Sequence, residues 1–152
     1  MKNLSLALPA LFAFFLIQSC AGPAPAPVSF DLDRPFALKQ GQTGTCSEVE
    51  GFSIRFDKVT ADSRCPMGEK CITAGKADLE LTLKKAGESA VVKLAFTLPN
   101  GTANVTEFKG HTIRVVGVTP FKMKDKEILP GDYSLAVQVT ETKAVNEGTK
   151  AE

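Results

Sequence analysis

The chain has 152 residues, with 18 basic against 17 acidic side chains and a formal net charge of +1. Lys2 is the only charge ahead of Cys20, so the remainder is electrostatically balanced, which argues against capture of nucleic acid or an anionic membrane by charge alone. A hydrophobic content of 43% excludes a disordered chain, and ten Phe, one Tyr and no Trp omit the strongest stacking anchors of sugar- and peptide-binding surfaces.

The first element in chain order is an export signal. Lys2 supplies a short basic start, and residues 4–17 are apolar apart from Ser5 and Pro9. That run is too short for a comfortable span of roughly 20 apolar residues and suits a cleaved secretory signal over residues 1–19. Leu16-Ile17-Gln18-Ser19-Cys20 resembles the bacterial lipobox, with Gln18 in a place where Ala or Ser is more usual. The resemblance implies that Cys20 carries a thioether-linked diacylglycerol and becomes the acylated N-terminus. Anchoring would then come from acyl chains whose burial contributes about 0.8 kcal/mol per methylene. Residues 20–28 read as a Pro/Ala tether of polyproline II character. No Asp directly follows Cys20, and no acidic cluster comes just after it either. By resemblance to sorting signals, the expected address is the cell envelope, at the outer membrane and facing the periplasm.

From residue 29 to 142 the dominant period is two, the signature of half-buried strands. Shorter strands are predicted over 28–32, 36–39 and 43–47. Phe52, Ile54 and Phe56 alternate, and Val59 falls out of step, which predicts a bulge. Ala77, Leu79, Leu81 and Leu83 mark a long strand, and Val92, Leu94, Phe96 and Leu98 mark its hairpin partner across Lys85-Ala86-Gly87-Glu88. Strands are also predicted over 102–108 and 111–118, the latter with an ambiguous inward face at Val115-Val116. Tyr133, Leu135, Val137 and Val139 form the closing strand. Pro99-Asn100-Gly101 and Pro130-Gly131-Asp132 carry turn chemistry. No window has a 3.6-residue stripe. The expectation is one all-β domain, an antiparallel β-sandwich (Ig-like or a squashed barrel) of about eight strands, with a frayed tail over 143–152.

Three cysteines remain after lipidation. In an oxidising compartment Cys65 and Cys71 are the expected disulfide, within the longest irregular stretch, 61–75; Cys46 bonded to either one is the alternative. The run from Phe52 to Val59, the block Asp62-Ser63-Arg64-Cys65-Pro66, Cys71 and Ala74-Gly75 resemble a family of uncharacterised bacterial lipoproteins. The later residues Thr112 to Val115, Val118, Pro120 and Glu127 to Tyr133 fit the closing segment of that family. Thr73 stands where an aromatic is common there, and Cys46 is extra. The resemblance implies a disulfide-braced β domain and no particular reaction.

Motifs for chemistry are sparse. Gly-x-Ser-x-Gly and Ser-x-x-Lys are absent, and the one histidine, His111, opens a strand, so no catalytic residue is assigned. No cofactor is expected beyond the covalent lipid. The favoured reading is a non-enzymatic binding or accessory domain. Its contact surface is the braced loop with Asp62, Arg64, Met67, Glu69 and Lys70, its expected contact an envelope protein, and nucleic acid is not a partner. The alternative is a metal-handling, copper-like or thiol-redox protein using Cys46, Met67 and His111 as soft ligands.

Overall fold

The computed structural model describes residues 25–97 and 104–142. The expected signal peptide, Cys20, the first residues of the tether, Leu98, the turn at Pro99-Asn100-Gly101 and the tail 143–152 lie outside the described residues. Among the described residues there are nine strands: β1 (Val28–Phe30), β2 (Phe36–Lys39), β3 (Thr43–Cys46), β4 (Ser53–Asp62), β5 (Ala77–Lys85), β6 (Glu88–Phe96), β7 (Val105–Phe108), β8 (His111–Thr119) and β9 (Ser134–Glu141). They form two sheets, in the orders β1-β3-β4-β5-β6 and β2-β9-β8-β7. The expected all-β sandwich is therefore what this chain builds.

Alternation decides what is buried. Ala77, Leu79, Leu81 and Leu83 of β5 all turn inward, as do Ile113, Val115 and Val118 of β8 and Leu135, Val137 and Val139 of β9. Phe52, Ile54 and Phe56 meet them from the β4 side, closing a core of interdigitated aliphatic and Phe side chains. Each fully buried Leu or Phe contributes about 1.5–3 kcal/mol relative to an exposed one. The irregularities expected from the sequence also have structural counterparts. In β4 the register against β5 shifts between Phe56 and Lys58 and again between Val59 and Ala61. In β8 the register against β9 shifts between Val115 and Gly117, so Val116 is the extra residue and turns out to solvent while Val118 returns to the core. That bulge is why Val115-Val116 blurs the inward face.

One pairing departs from an all-antiparallel ladder. β1 and β3 run parallel, with Val28 opposite Gly44 and Phe30 opposite Cys46. The chain reverses twice between them, crossing to the other sheet for β2 and back for β3, so the two strands share a direction. The stacked rings of Phe30 and Phe36, 4.1 Å apart, close the gap between the sheets at this edge.

The register gives the sandwich two distinct ends. One, here called the tip, gathers the end of β4, the start of β5, the end of β8 and the start of β9. Its loops cover residues 63–76 and 120–133. The opposite end gathers the β5–β6 hairpin turn, the start of β8 and the end of β9.

Candidate functional site

The tip is built around Arg64. Its Nε donates to Asp62 Oδ1 at 2.9 Å and its Nη2 donates to Asp62 Oδ2 at 2.7 Å, a side-on pair in which both side chains are only 9% exposed. The remaining donors reach across the sandwich. Nη1 donates to the Val118 carbonyl at 2.8 Å and Nη2 to the Pro120 carbonyl at 3.0 Å. Asp62 is itself held from the far sheet, since Tyr133 Oη donates to its Oδ2 at 3.0 Å and Lys122 Nζ to its carbonyl at 2.8 Å. A buried guanidinium needs partners for its fork of N–H groups, and this site supplies a carboxylate and two carbonyls. The outcome is a staple between the β4–β5 loop and the β8–β9 loop.

Electrostatics follow from the same contacts. Burial pushes the Asp62 carboxyl up, but the hydrogen bonds and positive charge of Arg64, joined by the Tyr133 hydroxyl, outweigh it and hold the group below its ordinary value. Burial, followed by the hydrogen bond to Asp62 and its negative charge, raises Tyr133.

Further braces fix the loop. Cys65 and Cys71 are disulfide-bonded, with Cα atoms 6.0 Å apart. The Met67 N–H donates to the Lys122 carbonyl at 2.9 Å, joining the two loops backbone to backbone. Gly75 has φ of +66°, and a Cβ there would fall 1.8 Å from the Ser63 carbonyl oxygen, so only glycine allows the chain to return so closely past Ser63.

On this rigid support the tip displays apolar side chains. Among the described residues the exposed large hydrophobics are Met67, Ile72, Val91, Val116, Phe121, Met123 and Leu129, and all but Val91 and Val116 belong to the two tip loops. Ile72 is fully exposed. Phe121 separates two shallow clefts. One, of about 390 Å³, is lined by Pro120, Phe121, Met123, Lys126 and Ile128 among others. The other, of about 150 Å³, is lined by Met67, Ala74, Val118 and Phe121 among others. Charged side chains of both signs frame this surface: Glu127 and Asp132 stand with Lys126 around the first cleft, and Lys124 bridges to Glu69 of the other loop at 3.1 Å. Clustered exposed apolar surface with a polar rim is the usual mark of a contact site.

The structure thus divides the residues predicted for the contact loop. Asp62 and Arg64 turn inward and act as its support, a correction to their expected place on the contact surface. Met67, Glu69 and Lys70 are exposed on it. The second half of the surface, Phe121, Met123 and Leu129, was missed by sequence reasoning. Its trace in the sequence is the run Phe121-Lys122-Met123-Lys124, which alternates like a strand yet, among the described residues, pairs only through an isolated bridge between Met123 and Lys126.

The opposite end differs in kind. His111 is buried, with Nδ1 within 3.1 Å of both Lys85 Nζ and the Lys109 carbonyl oxygen, and its ring lies 4.8 Å from that of Phe52. Around it open carboxylates: Asp33, Glu48, Glu107 and Glu141 line a groove that includes no basic side chain. Cys46 is a buried free thiol whose N–H donates to the Phe52 carbonyl at 2.9 Å. Cys46 and His111 therefore share the end that Met67 does not, and the three soft ligands are not brought together. Among the described residues no group of three or more His, Cys, Asp or Glu is gathered to hold a metal ion, and no helix is long and apolar enough to cross a membrane.

No family model, curated protein or solved structure matches the chain.

Proposed function

We propose that this chain is a lipid-anchored lipoprotein of the bacterial cell envelope, held through Cys20 in the outer membrane and facing the periplasm. Its sandwich is a non-enzymatic binding or accessory domain, and the tip is its contact surface. The observation that carries the binding reading is the apolar tip itself. A buried ion pair, a disulfide and a constrained glycine immobilise two loops whose exposed side chains are Met67, Ile72, Phe121, Met123 and Leu129. Apolar groups that served only stability would face inward; rigid loops that hold them outward have a use for them in contact. The anchoring reading draws on the apolar run before Cys20 and on the lipobox resemblance.

The test is the mass and partition of the full chain expressed in a Gram-negative host. The membrane fraction is expected to yield a protein lacking residues 1–19 and carrying diacylglycerol and an amide-linked acyl chain on Cys20. A Cys20→Ser chain is expected to keep its leader and to carry no acyl mass. An unmodified Cys20 in the mature protein overturns the anchored reading.

A further inference from the structure

Oxidisable side chains are distributed unevenly over this molecule. The chain has three methionines; Met1 opens it, and the other two, Met67 and Met123, lie one on each tip loop. Both are well exposed, at 57% and 46%. Methionine is a common filler of irregular core gaps, yet this core is closed without it. The other susceptible groups are withdrawn. Trp is missing from the sequence, the Cys46 thiol, the single Tyr133 and the single His111 are buried, and Cys65 and Cys71 are already joined. Among the described residues, an oxidant in solution therefore meets readily oxidised groups only at Met67 and Met123. The two positions are also neighbours. Because the Met67 N–H donates to the Lys122 carbonyl, Met123 stands one residue beyond the joint between the loops. Met67 lines the smaller cleft and Met123 the larger one, with Phe121 in the wall of both.

Resting on the reading of the tip as the contact surface, we propose that Met67 and Met123 are an oxidation site that switches this surface from apolar to polar. The reactant is an electrophilic oxygen donor of the peroxide class. A thioether lone pair attacks one peroxide oxygen, and the S–O bond forms as the O–O bond breaks. The departing hydroxide takes up the proton of the transferred oxygen and leaves as water. Sulfur loses two electrons and the peroxide gains them. Each sulfoxide sets a polar group in the wall of a cleft. An apolar partner group docking there would strip it of water without offering it a donor, which is unfavourable. The fold is spared, because both side chains lie outside the core and the Met67 backbone bond survives. A dithiol reductase reverses the change, taking the oxygen off as water and ending as a disulfide. Oxidation thus sets how adhesive the tip is without touching what holds it rigid.

The test treats the full chain, isolated from its expression host and held in vesicles of saturated phosphatidylcholine, with hydrogen peroxide. Peptide mapping by mass follows each sulfoxide. The emission of anilinonaphthalenesulfonate, corrected for empty vesicles, follows the apolar surface. Met67 and Met123 are both expected to oxidise at rates within a few-fold of free methionine, with dye emission falling severalfold in step and the urea midpoint unchanged. In a Met67→Leu/Met123→Leu chain the emission, whatever its starting level, is expected not to fall. All three side chains substituted in these tests are exposed, so none of the variants disturbs the core. A thioether that resists peroxide overturns the proposal, as does an equal loss of emission in the leucine variant or a midpoint that drops on oxidation. Sulfoxides that form with emission undiminished overturn the switch and leave the contact reading standing. Emission that is the same in the parent and in Phe121→Ser, before any peroxide, overturns the contact reading and the switch with it.

Discussion

The two ends of this sandwich solve opposite problems. At the tip, long loops are pinned by buried polar chemistry so that apolar side chains can face out. At the far end, a tight hairpin turn at Ala86-Gly87 and short connections leave a carboxylate-lined groove and a buried His111 held by Lys85 and the Lys109 carbonyl. An unpaired charge below the surface is costly, so the Asp62–Arg64 pair makes the tip rigid only while both partners are present. The far end depends on no such pair, and its turns are local. Rigidity at one end is therefore a long-range property and at the other a short-range one, and substitutions separate them.

The largest effect is expected from Asp62→Ala, which strands the Arg64 guanidinium among carbonyls and removes the acceptor of the Tyr133 hydroxyl. Breaking a buried pair in this way costs about 3–5 kcal/mol, read from the midpoint of urea unfolding. If the loss stays within the range of a surface substitution, the staple is not what holds the tip. Next comes the Cys65→Ser/Cys71→Ser double substitution. Opening so small a loop is expected to cost about 2–3 kcal/mol by the chain-entropy argument. Hydrogen exchange at the Met67 N–H should accelerate while the core amides of β5 and β9 lose only the global difference.

Acid sharpens the comparison further. Asp62 sits below its ordinary value of 3.8 in the folded chain, so the stability it supplies is complete above that value. It drains away as pH falls through the lower, folded value. Tyr133 is raised above its ordinary value of 10.0, so its share is complete below pH 10.0 and is lost as pH rises through the folded value. Unfolding midpoints measured against pH should show an acid limb in the parent chain that Asp62→Asn lacks. A limb of equal size in both assigns the acid sensitivity elsewhere. The smallest effect belongs to the far end. Ala86 has φ of +51° and Gly87 φ of +80°, the geometry of a turn that favours Asn-Gly. Ala86→Asn is expected to stabilise the chain by about 0.5–1 kcal/mol without altering exchange at Met67.

The same contrast explains what could be read in advance. The β5–β6 hairpin, the register shifts on either side of Val59 and the closing strand follow from alternation and turn residues, which act between near neighbours or along one strand. The disulfide follows from spacing. The role of Arg64 could not be read in this way, because its acceptors on Val118 and Pro120 lie 54 and 56 residues away in sequence. A basic residue in an irregular stretch reads as solvated surface until the far loop is in place. The parallel β1–β3 pair escaped notice for a related reason: three- and four-residue strands carry too few alternations to fix a partner or a direction. The apolar half of the tip from Phe121 to Leu129 looks like core material locally, and its exposure shows only once the described residues are seen to place no strand over it.

The parallel edge strand has a mechanical consequence. β1 takes up the chain from the tip side, and β9 delivers it at the opposite end. A pull applied between Ala26 and Thr142 therefore runs along the strand axes and loads the three-residue β1–β3 ladder in shear, its bonds together. A domain hung from its first strand in this manner resists stretching far better than one that can be peeled open a bond at a time.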